Sequence, residues 1–236
     1  MIVISIIGFL FCLLRPFYPT NTSIVGKALH WTVLPTLGVK VKIFDKNKFE
    51  DFSYPAVFIS NHQDNLDAFI LGGFVPKKTV SIGKKIIKYF PFFGQLYWLS
   101  GNILIDRKRT KRALGTMKEV ADKMRERGTS VWIMPEGTRS RGKGLQRFKK
   151  GAFHLAIQTG YPIIPVSLNN YSQNINFNRA VSTSVYVKIH DPIIVEKDEN
   201  PERDKVEELM TKAYNEIRNG IEWLDKKVQE DNETLS

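Results

Sequence analysis

The sequence predicts an α/β protein with a single mixed, largely parallel β-sheet flanked by helices, preceded by an N-terminal membrane-associated helical segment. Two patterns indicate this. Short β-type runs alternate with stretches of helical periodicity, and the first residues form an uncharged apolar run. A length of 236 residues fits one α/β domain with a terminal appendage. We therefore assign residues 1–37 to the membrane-associated segment and residues 38–236 to the α/β domain.

The N-terminal segment begins with residues 1–14, which carry no charged side chain and end at Arg15 and Pro16. As a helix this run would be about 21 Å long, short of a hydrocarbon core of about 30 Å. It lacks a basic start and a small-residue cleavage site. We therefore expect a retained anchor rather than a removable signal peptide or a buried core helix. Residues 22–37, with Trp31, form either a second membrane-lying helix or a helix packed on the domain.

Hydrophobic periodicity predicts the elements of the α/β domain in order. Apolar or alternating runs predict strands at residues 39–43, 56–60, 79–82, 102–105, 130–134, 163–168 and 184–189. Helical spacing predicts helices at residues 66–71, about 91–100, 110–127, 151–160 and 201 to about 229. Gly128 ends the third of these helices. Pro165 interrupts the sixth strand, which places it at a bulge or a sheet edge.

Charge and cysteine content narrow the classes of partner. The formal net charge is +11 and the isoelectric point is near 9.6. Both indicate an anionic partner, which could be a phosphorylated substrate, an anionic lipid surface, an acidic protein or a nucleic acid. The single cysteine, Cys12, excludes an intramolecular disulfide and fits a chain that faces a reducing compartment. It lies in the apolar run, so we assign it no catalytic role.

The stretch 61–67, which follows the strand predicted at residues 56–60, is the strongest candidate for chemistry. Loops at the carboxyl ends of buried strands are where open α/β sheets place their ligands. If Asp67 opens the next helix, its carboxylate can hold one ring nitrogen of His62 and leave the other to accept a proton. The alternative is that Asp67 only caps the helix.

Two further strand ends carry basic residues. Residues 102–105 lead into Arg107, and residues 130–134 lead into the loop 135–144. Glycines in that loop allow backbone amides to approach a phosphate, while Thr138 and Arg139 offer a hydroxyl and a planar guanidinium. The loop does not match a nucleotide-binding loop, because Lys143 is followed by glycine rather than serine or threonine. A flexible basic surface loop is the alternative.

Four motifs together resemble those of the glycerolipid acyltransferase family. They are His-x-x-x-x-Asp at residues 62–67, a segment ending in arginine at 101–107, Pro-Glu-Gly-Thr-Arg at 135–139, and an apolar segment with an inner proline at 161–167. The resemblance covers about residues 38–168. It implies acyl transfer from a thioester of acyl carrier protein or coenzyme A to the free hydroxyl of lysophosphatidate, with no bound cofactor and no metal.

The resemblance also implies roles for individual residues. His62 would be the general base and Asp67 its orienting acid, while the acceptor phosphate would be bound by Arg107, Glu136, Gly137, Thr138 and Arg139. An alcohol needs a base whereas a thiolate leaves readily, and no serine or cysteine lies in a recognisable nucleophile context. Direct attack without an acyl-enzyme is therefore expected. The remaining partners would be anionic lipids at the cytoplasmic face of the cell (inner) membrane.

Two departures from the family pattern and two other functions remain open. Asp64 stands where related enzymes often have serine or asparagine, so it could raise the pKa of His62 or compete with Asp67 for it. Leu66 replaces a common aromatic. A different acceptor, such as glycerol 3-phosphate or another lysolipid, is the first alternative function. A nucleic-acid-binding protein is the second and is disfavoured, because it leaves the apolar N-terminus unexplained.

Overall fold

A computed structural model of the chain describes residues 2–49, 55–105, 113–176, 178 and 180–234. The helices in these ranges are α1 (Ile2–Leu14), α2 (Asn21–Thr36), α3 (Asp67–Gly72), α4 (Phe93–Leu99), α5 (Ala113–Arg127), α6 (Gly151–Thr159) and α7 (Arg203–Thr234). The strands are β1 (Val39–Phe44), β2 (Val57–Ser60), β3 (Thr79–Lys84), β4 (Ile103–Ile105), β5 (Ser130–Ile133), β6 (Ile163–Leu168) and β7 (Thr183–Ile189). Short 3₁₀ helices cover Lys46–Phe49, Lys85–Tyr89 and Tyr171–Gln173.

The strands form one seven-stranded sheet in the order β1-β7-β6-β2-β5-β3-β4. The five strands from β6 to β4 are parallel to one another, whereas β7 is antiparallel to β6 and parallel to β1. The predicted single mixed, largely parallel sheet is therefore confirmed. Because β2, β5 and β6 are adjacent and parallel, the loops that follow them lie at the same edge of the sheet.

Helices cover the sheet on two faces. One apolar cluster joins the sheet to α5, α6 and α7, with Met124, Phe153 and Ile217 among its buried members. The other cluster joins the opposite face to α2 and α3, with Leu34 and Ile70 among its members. Strand β2 contributes side chains to both clusters because successive residues of a strand point to opposite faces. This central position keeps the end of β2 rigid.

Pro165 lies in an interior strand beside an irregularity of the pairing, so the edge alternative was wrong. Its strand β6 is flanked by β7 and β2. On the β7 side, Ile163 pairs with Ile193 and Val166 with Ile189, so residues 164–165 of β6 face residues 190–192, and the extra residue lies on the segment after β7. The irregularity tolerates a residue that has no N–H to donate to the ladder.

The N-terminal residues form two helices that pack on the α/β domain. Helix α1 contacts α4, where Cys12 is fully buried beside Leu96 and Leu99. Helix α2 packs closely on α3 at Gly26 and Gly72, although the side chain of Trp31 on α2 is 73% exposed. Of the two alternatives for residues 22–37, the structure shows a helix packed on the domain, with the side chain of Trp31 exposed. In the described part of the chain, no helix is both long and apolar enough to cross a membrane.

Candidate active site

The loop between β2 and α3 brings His62 and Asp67 together, as the sequence predicts. The Nδ1 atom of His62 lies 2.7 Å from Oδ2 of Asp67. Asp67 is the first residue of α3 and is fully buried, whereas the His62 side chain is 23% exposed. Within the described residues nothing hydrogen bonds to Nε2 of His62. The ring is therefore held at one nitrogen and open to a ligand at the other.

The Asp67 carboxylate is held by more than the histidine. Its Oδ2 accepts hydrogen bonds from the backbone N–H groups of Gln63, at 2.6 Å, and Asp64, at 3.0 Å. Its Oδ1 accepts a hydrogen bond from the hydroxyl of Tyr171, which is fully buried. Burial, and then the charge of Asp67, raise the pKa of Tyr171 far above its usual range. Tyr171 therefore stays protonated and remains a donor.

Asp64 does not contact the histidine in this arrangement. Its Oδ1 accepts a hydrogen bond from the backbone N–H of Leu66 at 3.1 Å, which turns the carboxylate towards the start of α3. Asp67, and not Asp64, is thus the carboxylate beside the His62 ring. Asp64 remains a nearby negative charge.

Glu136 ties the histidine loop to the loop after β5. Its side chain is almost fully buried, with Oε1 accepting from the backbone N–H of His62 at 2.6 Å and Oε2 from that of Gln146 at 3.0 Å. Two backbone hydrogen bonds join the same loops. The N–H of Ser140 donates to the carbonyl of His62, and the N–H of Arg141 donates to the carbonyl of Gln63. Burial raises the pKa of Glu136 from 4.5 to about 7, even though these amides favour the charged form.

The geometry of Glu136 calls for a correction to its predicted place in the phosphate site. A carboxylate that faces two backbone amides in the interior does not reach a substrate, and its charge would repel a phosphate. Glu136 therefore joins the two loops from the interior, unlike its neighbours in the loop after β5.

Those neighbours form a basic surface next to His62. Gly137 has φ +70°, and the ammonium of Lys149 lies 2.8 Å from the position that a Cβ on Gly137 would occupy. A side chain on Gly137 would displace this lysine. Thr138 is exposed, and Nη1 of Arg139 donates a hydrogen bond to Oδ1 of Asn65 in the histidine loop. Backbone glycine, hydroxyl and two cations therefore lie along one loop.

The last predicted residue, Arg107, lies outside the described residues, as do all of residues 106–112. The strand that leads to it, β4, is parallel to β3 and forms the edge of the sheet. The predicted role of Arg107 stays a prediction. Among the residues that the structure describes, no group of three or more histidine, cysteine, aspartate and glutamate side chains could hold a metal ion.

The chain matches the model of a known protein family. The model of a family described as "Acyltransferase" matches residues 40–169, more than half of the chain. The chain belongs to the acyltransferase family. The matched range contains the whole of the site described above except Tyr171.

Individual members of the acyltransferase family resemble the chain over most of its length. The 1-acyl-sn-glycerol-3-phosphate acyltransferase of Escherichia coli is 40% identical over 97% of this chain and 91% of that protein. The human 1-acyl-sn-glycerol-3-phosphate acyltransferase alpha is 34% identical over 80% of this chain and 70% of its own. The crystal structure of the 1-acyl-sn-glycerophosphate acyltransferase of Thermotoga maritima has a TM-score of 0.68 at 23% identity, and covers 91% of this chain and 87% of that one. This last likeness shows the shared fold.

Sequence reasoning about the acyltransferase motifs missed three residues of the site. Tyr171 is 104 residues from Asp67, and no periodic pattern connects them. Asn61 was quoted in the motif without a role, and its side-chain amide exchanges two hydrogen bonds with the backbone of Leu168. Lys149 lies in a basic stretch that gave no reason to single it out. Only Asn61, as a polar residue at the end of a buried strand, carried a usable signal.

Proposed function

We propose that the protein is a 1-acyl-sn-glycerol-3-phosphate acyltransferase. It transfers a fatty acyl group from an acyl thioester to the free hydroxyl of lysophosphatidate and so forms phosphatidic acid for phospholipid synthesis. The observation that carries the proposal is the His62–Asp67 pair, with one ring nitrogen held and the other open, beside a basic glycine-containing loop. The names of the E. coli and human relatives support this acceptor.

In the proposed reaction His62 acts as the general base. Its Nε2 takes the proton of the acceptor hydroxyl while the hydroxyl oxygen attacks the thioester carbonyl. The tetrahedral intermediate then collapses and the carbon–sulfur bond breaks. The sulfur takes the proton back from His62 and leaves as a thiol. Asp67 fixes the ring tautomer and stabilises the imidazolium. Cys12 is buried between α1 and α4, so it is not placed to form an acyl-enzyme.

The acceptor phosphate is assigned to the loop after β5 and to Arg107. Gly137 offers backbone, Thr138 a hydroxyl, and Arg139 a guanidinium whose contact with Asn65 ties it to the histidine loop. We add Lys149 to this group because its ammonium lies against Gly137. Holding the phosphate aligns the hydroxyl with His62, and alignment of this kind can supply several kcal/mol of rate enhancement. The donor is a thioester of acyl carrier protein or coenzyme A, and no bound cofactor is needed.

We further propose that residues 1–37 attach the domain of residues 38–236 to anionic lipid at the cytoplasmic face of the inner membrane. Helix α1 leaves apolar side chains exposed on the side away from α4, including Ile7, which is 61% exposed. Other aromatic side chains are exposed as well, and they are Trp31 on α2, Tyr89, Phe90 and Phe92 just before α4, and Trp98 on α4. Apolar burial in the interface, together with the attraction of a basic protein for anionic lipid, would give stable attachment.

The test uses purified protein in detergent micelles with labelled acyl thioesters and a panel of acceptors. The panel holds lysophosphatidate, glycerol 3-phosphate, and a monoacylglycerol without phosphate. We expect transfer to lysophosphatidate, and a loss of about 100- to 10,000-fold in His62→Ala, the range for a general base. The matched control is His154→Ala on α6. If glycerol 3-phosphate proves the better acceptor, the proposed acceptor is wrong. Near-normal turnover in His62→Ala would show that His62 is not the general base.

A further inference from the structure

Tyr171 is a buried polar group that the proposed reaction has not yet used. It begins the 3₁₀ helix Tyr171–Gln173 shortly after β6, and its side chain is fully buried. Its hydroxyl reaches across the edge of the sheet to Oδ1 of Asp67. The tyrosine thus lies one hydrogen bond behind the carboxylate that holds His62.

The two oxygens of Asp67 have separate partners. Oδ2 faces Nδ1 of His62 at 2.7 Å and also receives two backbone N–H groups of its own loop. Oδ1 receives the hydroxyl of Tyr171. With both oxygens engaged, the carboxylate cannot rotate to present its other oxygen to the histidine without breaking a buried hydrogen bond.

Tyr171 is itself held firmly. Its backbone N–H donates to the carbonyl of Asn169 at 2.7 Å, and the amide of Gln63 donates to the same carbonyl at 2.6 Å. The hydroxyl of Ser172 donates to the other end of the Gln63 side chain at 3.2 Å. The segment after β6 and the histidine loop are therefore joined on either side of the Tyr171–Asp67 contact.

We propose that Tyr171 is a positioning residue for acyl transfer: its hydroxyl fixes the orientation of the Asp67 carboxylate and limits the negative charge that His62 experiences. This inference rests on the proposed function. A tyrosine that merely stabilised the fold would affect the melting temperature but would leave the basicity of His62 unchanged.

The expected sign of the effect follows from the charges around the pair. A hydroxyl that donates to a carboxylate disperses its charge, so removing the hydroxyl should strengthen the stabilisation of the imidazolium by Asp67. The pKa of His62 should then rise. Asp64 faces the pair from the same loop, Glu136 from the loop after β5, and Arg139 through Asn65. These groups are the same in the parent and the variant, so the difference between the two reports on Tyr171.

The experiment compares Tyr171→Phe with the parent protein in micelles. We expect kcat to fall on the order of 10-fold, the lower end of the loss when an outer partner of a metal-bound histidine is removed. The Michaelis constants for both substrates should change much less. The acidic limb of the pH-rate profile should move to higher pH. Because the pKa of Glu136 is raised to about 7 and its titration can contribute to this limb, the protonation of His62 is also followed directly by NMR, with its signal assigned by its loss in His62→Ala.

The matched control is Tyr186→Phe. This residue also loses a hydroxyl that is hydrogen bonded to a carboxylate, since Tyr186 donates to Asp231 at 2.5 Å, but Asp231 is on α7 and outside the site. We expect its kcat and the His62 pKa to match those of the parent. An unchanged His62 pKa and kcat in Tyr171→Phe, with or without a lower melting temperature, would overturn the proposal.

A second variant covers the case in which Tyr171→Phe does not fold. Fluorotyrosine placed at position 171 alone keeps the hydroxyl and makes it a stronger donor, so the His62 pKa and the acidic limb should move to lower pH. A shift to higher pH, or none, would refute the assignment of Tyr171. If the parent protein transfers no acyl group, the proposed function fails. The NMR titrations still test the effect of Tyr171 on His62.

Discussion

The two carboxylates of the histidine loop are separated by their contacts, and this separation is testable with isosteric changes. Asp67 contacts the His62 ring, whereas Asp64 binds the N–H of Leu66. We expect Asp67→Asn to lose at least about 100-fold in kcat, because an amide can hold the wrong tautomer of His62. Asp64→Asn should keep most activity and move the acidic limb of the pH-rate profile to lower pH. The measurement is a pH-rate profile of each variant at a saturating concentration of the acyl donor. If Asp64→Asn is inactive and Asp67→Asn is active, Asp64 is the orienting acid.

Glu136 should contribute to the pH dependence of the free energy of unfolding. Its pKa is raised from 4.5 to about 7 in the folded protein, so the folded state binds the proton more tightly than the unfolded state. This contribution is fully present below pH 4.5 and is lost as the pH rises to about 7. The shift corresponds to roughly 3 kcal/mol at most.

Glu136→Gln removes this titration while keeping the size of the side chain. We expect the decline in unfolding free energy between pH 4.5 and 7 to be smaller in this variant, as measured by denaturant unfolding in micelles. The matched control is Glu222→Gln on α7, an exposed glutamate whose removal should leave the decline as in the parent. A decline of equal size in Glu136→Gln would show that the carboxylate is ionised throughout the range.

At the scale of elements, the site depends on how closely α2 packs on α3, whose first residue is Asp67. A Cβ on Gly26 would lie 2.8 Å from the backbone oxygen of Gly72. Since backbone atoms cannot move as easily as a side chain, the two helices would have to separate. We expect Gly26→Ala to lower the melting temperature and kcat together.

The control for this change is Gly151→Ala at the start of α6, where a new Cβ would meet only the Met117 side chain, with the sulfur at an ordinary 3.6 Å. That variant should be neutral or slightly more stable, because alanine favours a helix by roughly 0.5–1 kcal/mol over glycine. Thermal unfolding and turnover are measured on both. Equal behaviour of the two variants would mean that the α2–α3 contact tolerates a methyl group.

At the scale of the whole molecule, the exposed apolar face of α1 should determine membrane attachment. Ile7→Glu with Leu10→Glu places charges on exposed positions, so the packing of Cys12 against α4 is kept. We expect the variant to remain folded, to bind anionic vesicles less, and to lose activity on bilayers more than on dispersed substrate. The measurements are vesicle sedimentation and turnover in both substrate forms.

Ile194→Glu provides the comparison for this surface, because Ile194 is 78% exposed but lies after β7, outside the N-terminal segment. It should sediment with vesicles as the parent does. If the α1 variant sediments as fully as the parent, attachment lies elsewhere, with α2 and Trp31 as the next surface to change.

Much of the fold could be predicted because its signals are local. Each strand and helix carries its own periodicity, and strands separated by helices favour a mostly parallel sheet. The pairing of His62 with Asp67 could also be predicted from the sequence, because the two residues are only five positions apart across one strand-to-helix turn. The Pro-Glu-Gly-Thr-Arg motif likewise located the loop beside them.

Sequence by itself therefore determined the elements, the family resemblance and the candidate base with its acid, all of which depend on neighbours within a few residues. Only the tertiary structure decided that Glu136 faces inward, that Tyr171 supports Asp67, that α2 packs on α3, and that Pro165 occupies an interior strand. These four outcomes depend on which distant segments become adjacent in the sheet. Side-chain periodicity reports which face of an element is buried, but it does not report what lies on the other side of the contact.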